Sequence, residues 1–203
     1  QVVWVTDSPV STAQKVTLVN LLSEAGVPVI ETGAFVSAKW VPQMADTAEV
    51  LADIDRRPGT RYPALVPNLR GFERALAAGS RDIAVLAAAS ETFSRRNINQ
   101  SIDESLVTIA AVCTRAKEAG VRVRGYLSTC FGCPYEGEVP PARVGELTKS
   151  LLDLGVFEVA ISDTIGVAHP AQVWQVLDAV SRYASLSRVA LHFHDTRGTA
   201  LVN

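Results

Sequence analysis

The chain has 203 residues, of which 48% are hydrophobic and 20% charged, with a formal net charge of −2. That balance suits one soluble globular domain with a substantial core and argues against a disordered tail or a nucleic-acid binder, since no basic patch is present. No apolar run approaches the ~20 residues that span a bilayer, and the first residues lack a secretory pattern, so neither a membrane nor a nucleic acid is an expected partner. Three cysteines, unevenly placed, predict a reducing compartment and no disulfide framework.

Taken in order, the chain repeats an amphipathic helix, a glycine and a short β-branched run. Gln1–Val5 offers a first short strand, and a helix over 12–25 ends at Gly26 before a strand over 28–32. A helix over 46–56, a strand over 62–66, a helix over 69–78 and a strand over 82–87 follow, with Gly79 between the last two. Ser90 and Glu91 read as a turn. Ser101-Ile-Asp-Glu104 is a capping box for a helix over 101–119, whose apolar face holds Leu106, Ile109, Cys113 and Ala116. Strands over 121–127, 157–161 and 188–193 alternate with helices over 141–154 and 170–184, which begin at Pro140-Pro141 and Pro170. Each glycine suits the left-handed position that closes a helix. Strands alternating with helices at this spacing imply parallel pairing with right-handed crossovers.

Two architectures fit that alternation, a (β/α)8 TIM barrel and a doubly wound open sheet. The open sheet usually advertises a ligand through a glycine-rich turn, and neither G-x-G-x-x-G nor G-x-x-x-x-G-K-[ST] occurs here. Polar groups instead follow nearly every strand: Glu31 and Thr32, Asn68, Ser90 and Glu91, Tyr126 and Ser128, Asp163 and Thr164, then His192, His194 and Asp195. A barrel gathers its strand tips at one mouth, where barrel enzymes keep their active sites. The last set is the most telling. His192 and His194 are one residue apart on an apolar strand, so both imidazoles share a face and can hold one metal ion. Each group also has a plain structural reading: Asn68 and Asp163 can cap the helix that follows, and Glu31 can meet a neighbouring cation. Asp195 falls on the opposite face from the histidines. Cys130-Phe-Gly-Cys133 matches C-x-x-C, but no second pair accompanies it and a redox or zinc role is not the expectation; Cys113 reads as a small buried hydrophobe.

Longer segments carry a specific resemblance. Ile30-Glu-Thr-Gly-Ala-Phe-Val-Ser-Ala-Lys-Trp-Val-Pro-Gln-Met-Ala-Asp46, Tyr62-Pro-Ala-Leu-Val-Pro-Asn68, Ala88-Ala-Ser-Glu91, Asn97-Ile-Asn99, Val123-Arg-Gly-Tyr126, Gly132-Cys-Pro-Tyr-Glu-Gly137, Asp163-Thr-Ile-Gly-Val167 and His192-Phe-His-Asp-Thr196 resemble the hydroxymethylglutaryl-CoA lyase family. The resemblance extends from about Ser11 to the end. It implies a TIM barrel that binds Mg2+ or Mn2+ and cleaves 3-hydroxy-3-methylglutaryl-CoA to acetyl-CoA and acetoacetate, in leucine breakdown and ketone-body formation. It further implies that His192 and His194 are metal ligands, that His192 also serves proton transfer, that Glu31 and Asp163 are catalytic members of the polar shell, and that Tyr126, Ser128 and Asn68 approach an acyl-CoA substrate. A homodimer, and a bacterial cytoplasm or the mitochondrial matrix, follow from the same likeness.

The departures are as specific. Family members open the barrel with an Arg-Asp-Gly strand end and carry, beyond the histidine strand, a glycine-rich loop with a catalytic Cys and then an Asn ligand; neither segment is found in these 203 residues. Ala34 and Ala38 replace the usual Ser and Pro, and Arg197 stands where many relatives have Tyr. The expectation is therefore a single, incomplete barrel domain over 1–203, lacking the first strand motif and the last βα unit, with impaired activity. A Claisen-type synthase or aldolase of the same barrel family, and an inactive degenerate barrel, are the alternative readings.

Overall fold

The computed structural model describes residues 9–203; the short strand expected over Gln1–Val5 lies outside them. The described elements are α1 (Thr12–Glu24), β1 (Gly33–Ala34), α2 (Thr47–Asp53), β2 (Ala64–Leu65), α3 (Leu69–Ala77), β3 (Asp82–Ala88), α4 (Glu91–Ile98), α5 (Ile102–Glu118), β4 (Arg122–Ser128), α6 (Pro141–Asp153), β5 (Val159–Asp163), α7 (Pro170–Ser181) and β6 (Val189–Phe193). The strands are in chain order, and each register read here is parallel, as the βα alternation predicts. The described residues divide into two compact units: residues 9–84 with 115–122, and residues 85–114 with 123–203. The three boundaries fall within β3, α5 and β4.

The first unit holds α1, β1, α2, β2, α3 and the start of β3. Ser11 and Gln14 form a capping box at α1, each side chain satisfying a backbone N–H that helix geometry leaves unpaired. Phe35, Val50, Leu51, Val66 and Phe72 are almost fully buried beneath these helices, and a core side chain of that size contributes about 1.5–3 kcal/mol of hydrophobic stabilisation. Hydrogen bonding of the first ladder starts where expected, with Ile30 N–H donating to the Arg61 carbonyl, and runs on to Phe35 N–H and Leu65 O. Glu31 thus sits within the ladder, short of its end. The regular part begins only at Gly33, where a Cβ would meet Thr47 Oγ1 at 2.6 Å; Thr47 approaches so closely because its hydroxyl bonds both N–H and C=O of Ala34.

The second unit continues β3 into β4, β5 and β6, with α4 to α7. α4 stands where a turn was expected. Its eight residues bury only Ser94, so no apolar stripe announces it; Ser90 starts it by accepting the Phe93 N–H, and Asn99 stops it in a left-handed conformation at φ 55°. The capping box of α5 forms as read, Ser101 N–H donating to Glu104 and Glu104 N–H to Ser101 Oγ. α6 and α7 start at prolines and pack on each other, and Val144, Leu147, Leu151, Val176 and Val180 are among their buried apolar residues. Within the described residues no helix is long and apolar enough to cross a membrane.

Candidate active site

Register assigns each residue of the second unit to a face. Tyr126, Ala160 and Ala190 are partners across three strands, and Ser162 pairs with His192 one row further along. Side chains of paired residues in a parallel sheet leave on the same side and alternate along each strand. Tyr126, Ser128, Ser162, His192 and His194 therefore share one face. The opposite face carries Leu127, Ile161 and Leu191 and, in the last register pair, Asp163 and Phe193. Phe193 packs on Phe131, ring centres 5.6 Å apart.

The histidines are brought together as expected. Their ring centroids lie 5.0 Å apart with planes tilted 50°, a spacing that lets one nitrogen of each ring turn to a common cation. His192 is half-buried and His194 exposed. Burial, then the neighbouring His194, pushes the His192 pKa below the ordinary imidazole value, so the ring is neutral near pH 7 and fit to ligate. No third His, Cys, Asp or Glu completes a metal cluster with them among the described residues. Two imidazoles alone fit a divalent ion as part of its donor set.

Asp163 makes the backbone contacts that its plain structural reading allowed. It is fully buried, and its carboxylate accepts two backbone hydrogen bonds, Oδ1 from Val167 N–H and Oδ2 from Ala168 N–H. It is a clamp on the loop that leads from β5 to α7. Its own carbonyl accepts from His194 N–H, and Thr164 Oγ1 accepts from Thr129 N–H, which ties three strand ends together. In that loop Gly166 adopts φ +66°, and a Cβ there would stand 2.5 Å from Thr196 Oγ1 and 2.8 Å from the His194 carbonyl. Glycine alone allows such an approach. The signal for Asp163's face was present in the strand alternation, which puts Ser162 beside His192; the Gly166–Thr196 contact left no trace in local pattern.

Asn68 likewise caps, its Oδ1 accepting from Gly71 N–H at the start of α3 in the first unit. Ser90 caps α4, and Glu91 accepts from Ile102 N–H and pairs with Arg95. Cys130 and Cys133 do not act as a pair: Cys130 Sγ faces the Leu127 carbonyl, whereas Cys133 Sγ lies 2.9 Å from Ser90 Oγ. Burial raises the Cys130 pKa strongly and that of Cys113 to about 11, so neither is a thiolate near neutrality.

Residues 5–203 match the HMGL-like family model. The chain belongs to the HMGL-like family. Over 194 residues it is 50% identical to the mitochondrial hydroxymethylglutaryl-CoA lyase of Bos taurus, covering 96% of this chain and 60% of the bovine protein. It is equally similar, 50% over 195 residues, to a Pseudomonas aeruginosa protein named 3-hydroxy-3-isohexenylglutaryl-CoA/hydroxy-methylglutaryl-CoA lyase, spanning 65% of that protein. The crystal structure of the hydroxymethylglutaryl-CoA lyase from the same bacterium superposes with a TM-score of 0.94 at 49% identity, over 97% of this chain and 65% of that one. A structure of a lyase from Acinetobacter baumannii with coenzyme A and 3-methylmalate superposes at 0.92 and 34% identity, over 97% and 64%. This HMGL-like chain thus has the strand and helix order of part of a TIM barrel and spans about 60% of the length of the curated relatives it matches.

Proposed function

We propose that this chain carries the metal-binding strand and part of the substrate site of a hydroxymethylglutaryl-CoA lyase, which cleaves 3-hydroxy-3-methylglutaryl-CoA to acetyl-CoA and acetoacetate. The observation that carries the reading is the pair of imidazoles on one face, 5.0 Å apart, in a chain half identical to lyases of that name. His192 and His194 would hold a divalent cation, Mg2+ or Mn2+, as part of a wider ligand set. When bound, such an ion draws charge from the substrate's oxygens.

The reaction breaks the carbon–carbon bond beside a tertiary alcohol. A base must take the hydroxyl proton, and the electron pair of the breaking bond leaves on the acetyl thioester as an enolate that is then protonated. His192 suits the first task because its ring is neutral near pH 7. Tyr126 and Ser128 share its face and can meet the acyl group. Glu31 enters the polar shell on the family resemblance alone. Asp163 serves by holding the β5–α7 loop, and Asn68 by starting α3.

A second reading concerns the size of the substrate. The Pseudomonas relative is named for a 3-isohexenyl as well as a 3-methyl substrate, and its identity to this chain equals that of the mammalian protein. Purified chain would be titrated with Mn2+ and then assayed for acetoacetate release from the methyl substrate and for acetyl-CoA release from either substrate. Cation binding without cleavage of either ester sinks the catalytic part of the proposal. Cleavage of both favours the broader specificity.

A further inference from the structure

Arg124 stands on β4 two residues before Tyr126, so both side chains leave the strand on the same face. The guanidinium carbon lies 5.5 Å from the centre of the Tyr126 ring, within the range of a cation–π contact. On its other side Nε donates a 2.6 Å hydrogen bond to Glu158 Oε1, and the two side chains are each only 29% exposed. A charge drawn this far from water is costly, and an aliphatic side chain would fill the space more cheaply. What arginine adds is direction: a planar group held by a carboxylate at one edge can fix a ring against its face. Ala160 and Ala190 stand beside Tyr126 in register. Beyond that row come Ser162 and His192.

We propose that Arg124, braced by Glu158, is a positioning residue that sets the Tyr126 ring on the face shared with His192, for contact with the acyl-CoA substrate. The structural half stands on the three side chains; the substrate half rests on the lyase reading.

The test has two arms. In the first, tyrosine rings are 13C-labelled and the Tyr126 resonance is identified by its loss in Tyr126→Phe. Arg124→Gln is expected to shift or broaden that resonance, Glu158→Gln to do so less, and Arg124→Lys to restore it in part. An unmoved resonance in a folded Arg124→Gln overturns the proposal. In the second, binding of 3-methylglutaryl-CoA, which lacks the hydroxyl needed for cleavage, is titrated in the presence of Mn2+. Arg124→Gln is expected to weaken it about tenfold and to add nothing in a Tyr126→Ala background. Additive losses, or a fall in Mn2+ affinity that signals general damage, overturn it. Should the unmodified chain bind no ester, the lyase reading fails and the ring resonance alone decides whether Arg124 positions Tyr126.

Discussion

Strands β5 and β6 are hydrogen-bonded neighbours, and each ends in residues whose side chains could do chemistry, yet those residues serve opposite ends. At the tip of β6 two imidazoles project from the sheet, one half-buried and one exposed, with ring centres 5.0 Å apart. At the tip of β5 a fully buried carboxylate spends both oxygens on the backbone of its own loop. A one-residue difference in register sets the outcome: Ser162, not Asp163, faces with His192. Residue type at a strand end states what chemistry is available, whereas the face and the neighbouring N–H groups decide whether it is spent on a ligand or on the fold.

The sharpest way to break that contrast is at the histidines. Replacing His192 or His194 with Ala is expected to weaken Mn2+ binding by at least ~100-fold while leaving the unfolding midpoint nearly unchanged, since neither ring packs in the core. Isothermal titration and urea denaturation measure the two halves. Asp163→Asn should give the reverse. An amide keeps one acceptor and turns an NH2 toward a backbone N–H, so a loss of about 2–3 kcal/mol of stability is expected, with a smaller effect on metal affinity. If Asp163→Asn instead left stability intact and abolished turnover alone, the clamp reading would be wrong.

Gly166→Ala probes the link between the two tips. A methyl group at a left-handed φ, pressed on Thr196 and the His194 carbonyl, is expected to cost about 1–3 kcal/mol and to move His194, lowering Mn2+ affinity. Adding Thr196→Ala should restore part of the affinity, and no restoration would mean that the loss is backbone strain alone. The mildest change is Asn68→Ala, which removes the cap of α3 and should cost about 1 kcal/mol. Acyl-CoA affinity unaltered by it sharpens the comparison by assigning Asn68 to the fold; a drop greater than the stability change would return it to the substrate.

Much of the fold was legible because its signals are local. The capping boxes at Ser11 and Ser101, the prolines opening α6 and α7 and the glycines closing helices mark element ends within a few residues of themselves. α4 escaped because a short helix that buries only Ser94 shows no apolar period, and its start looks like any serine-containing turn. The first ladder ran past Glu31 because Gly33 and Thr47 meet at a distance in sequence that no local pattern spans.

Chemistry followed the same division. The sequence by itself determined the parallel βα alternation and the common face of His192 and His194, since a strand's two-residue period is a property of its own backbone. Only the tertiary structure decided that Asp163, Asn68, Ser90 and Glu91 are used to hold loops and helix ends, and that Arg124 and Glu158 brace Tyr126. Those assignments depend on which N–H group, ring or carboxylate arrives opposite each side chain, and that is set by strand register and loop packing between residues far apart along the chain.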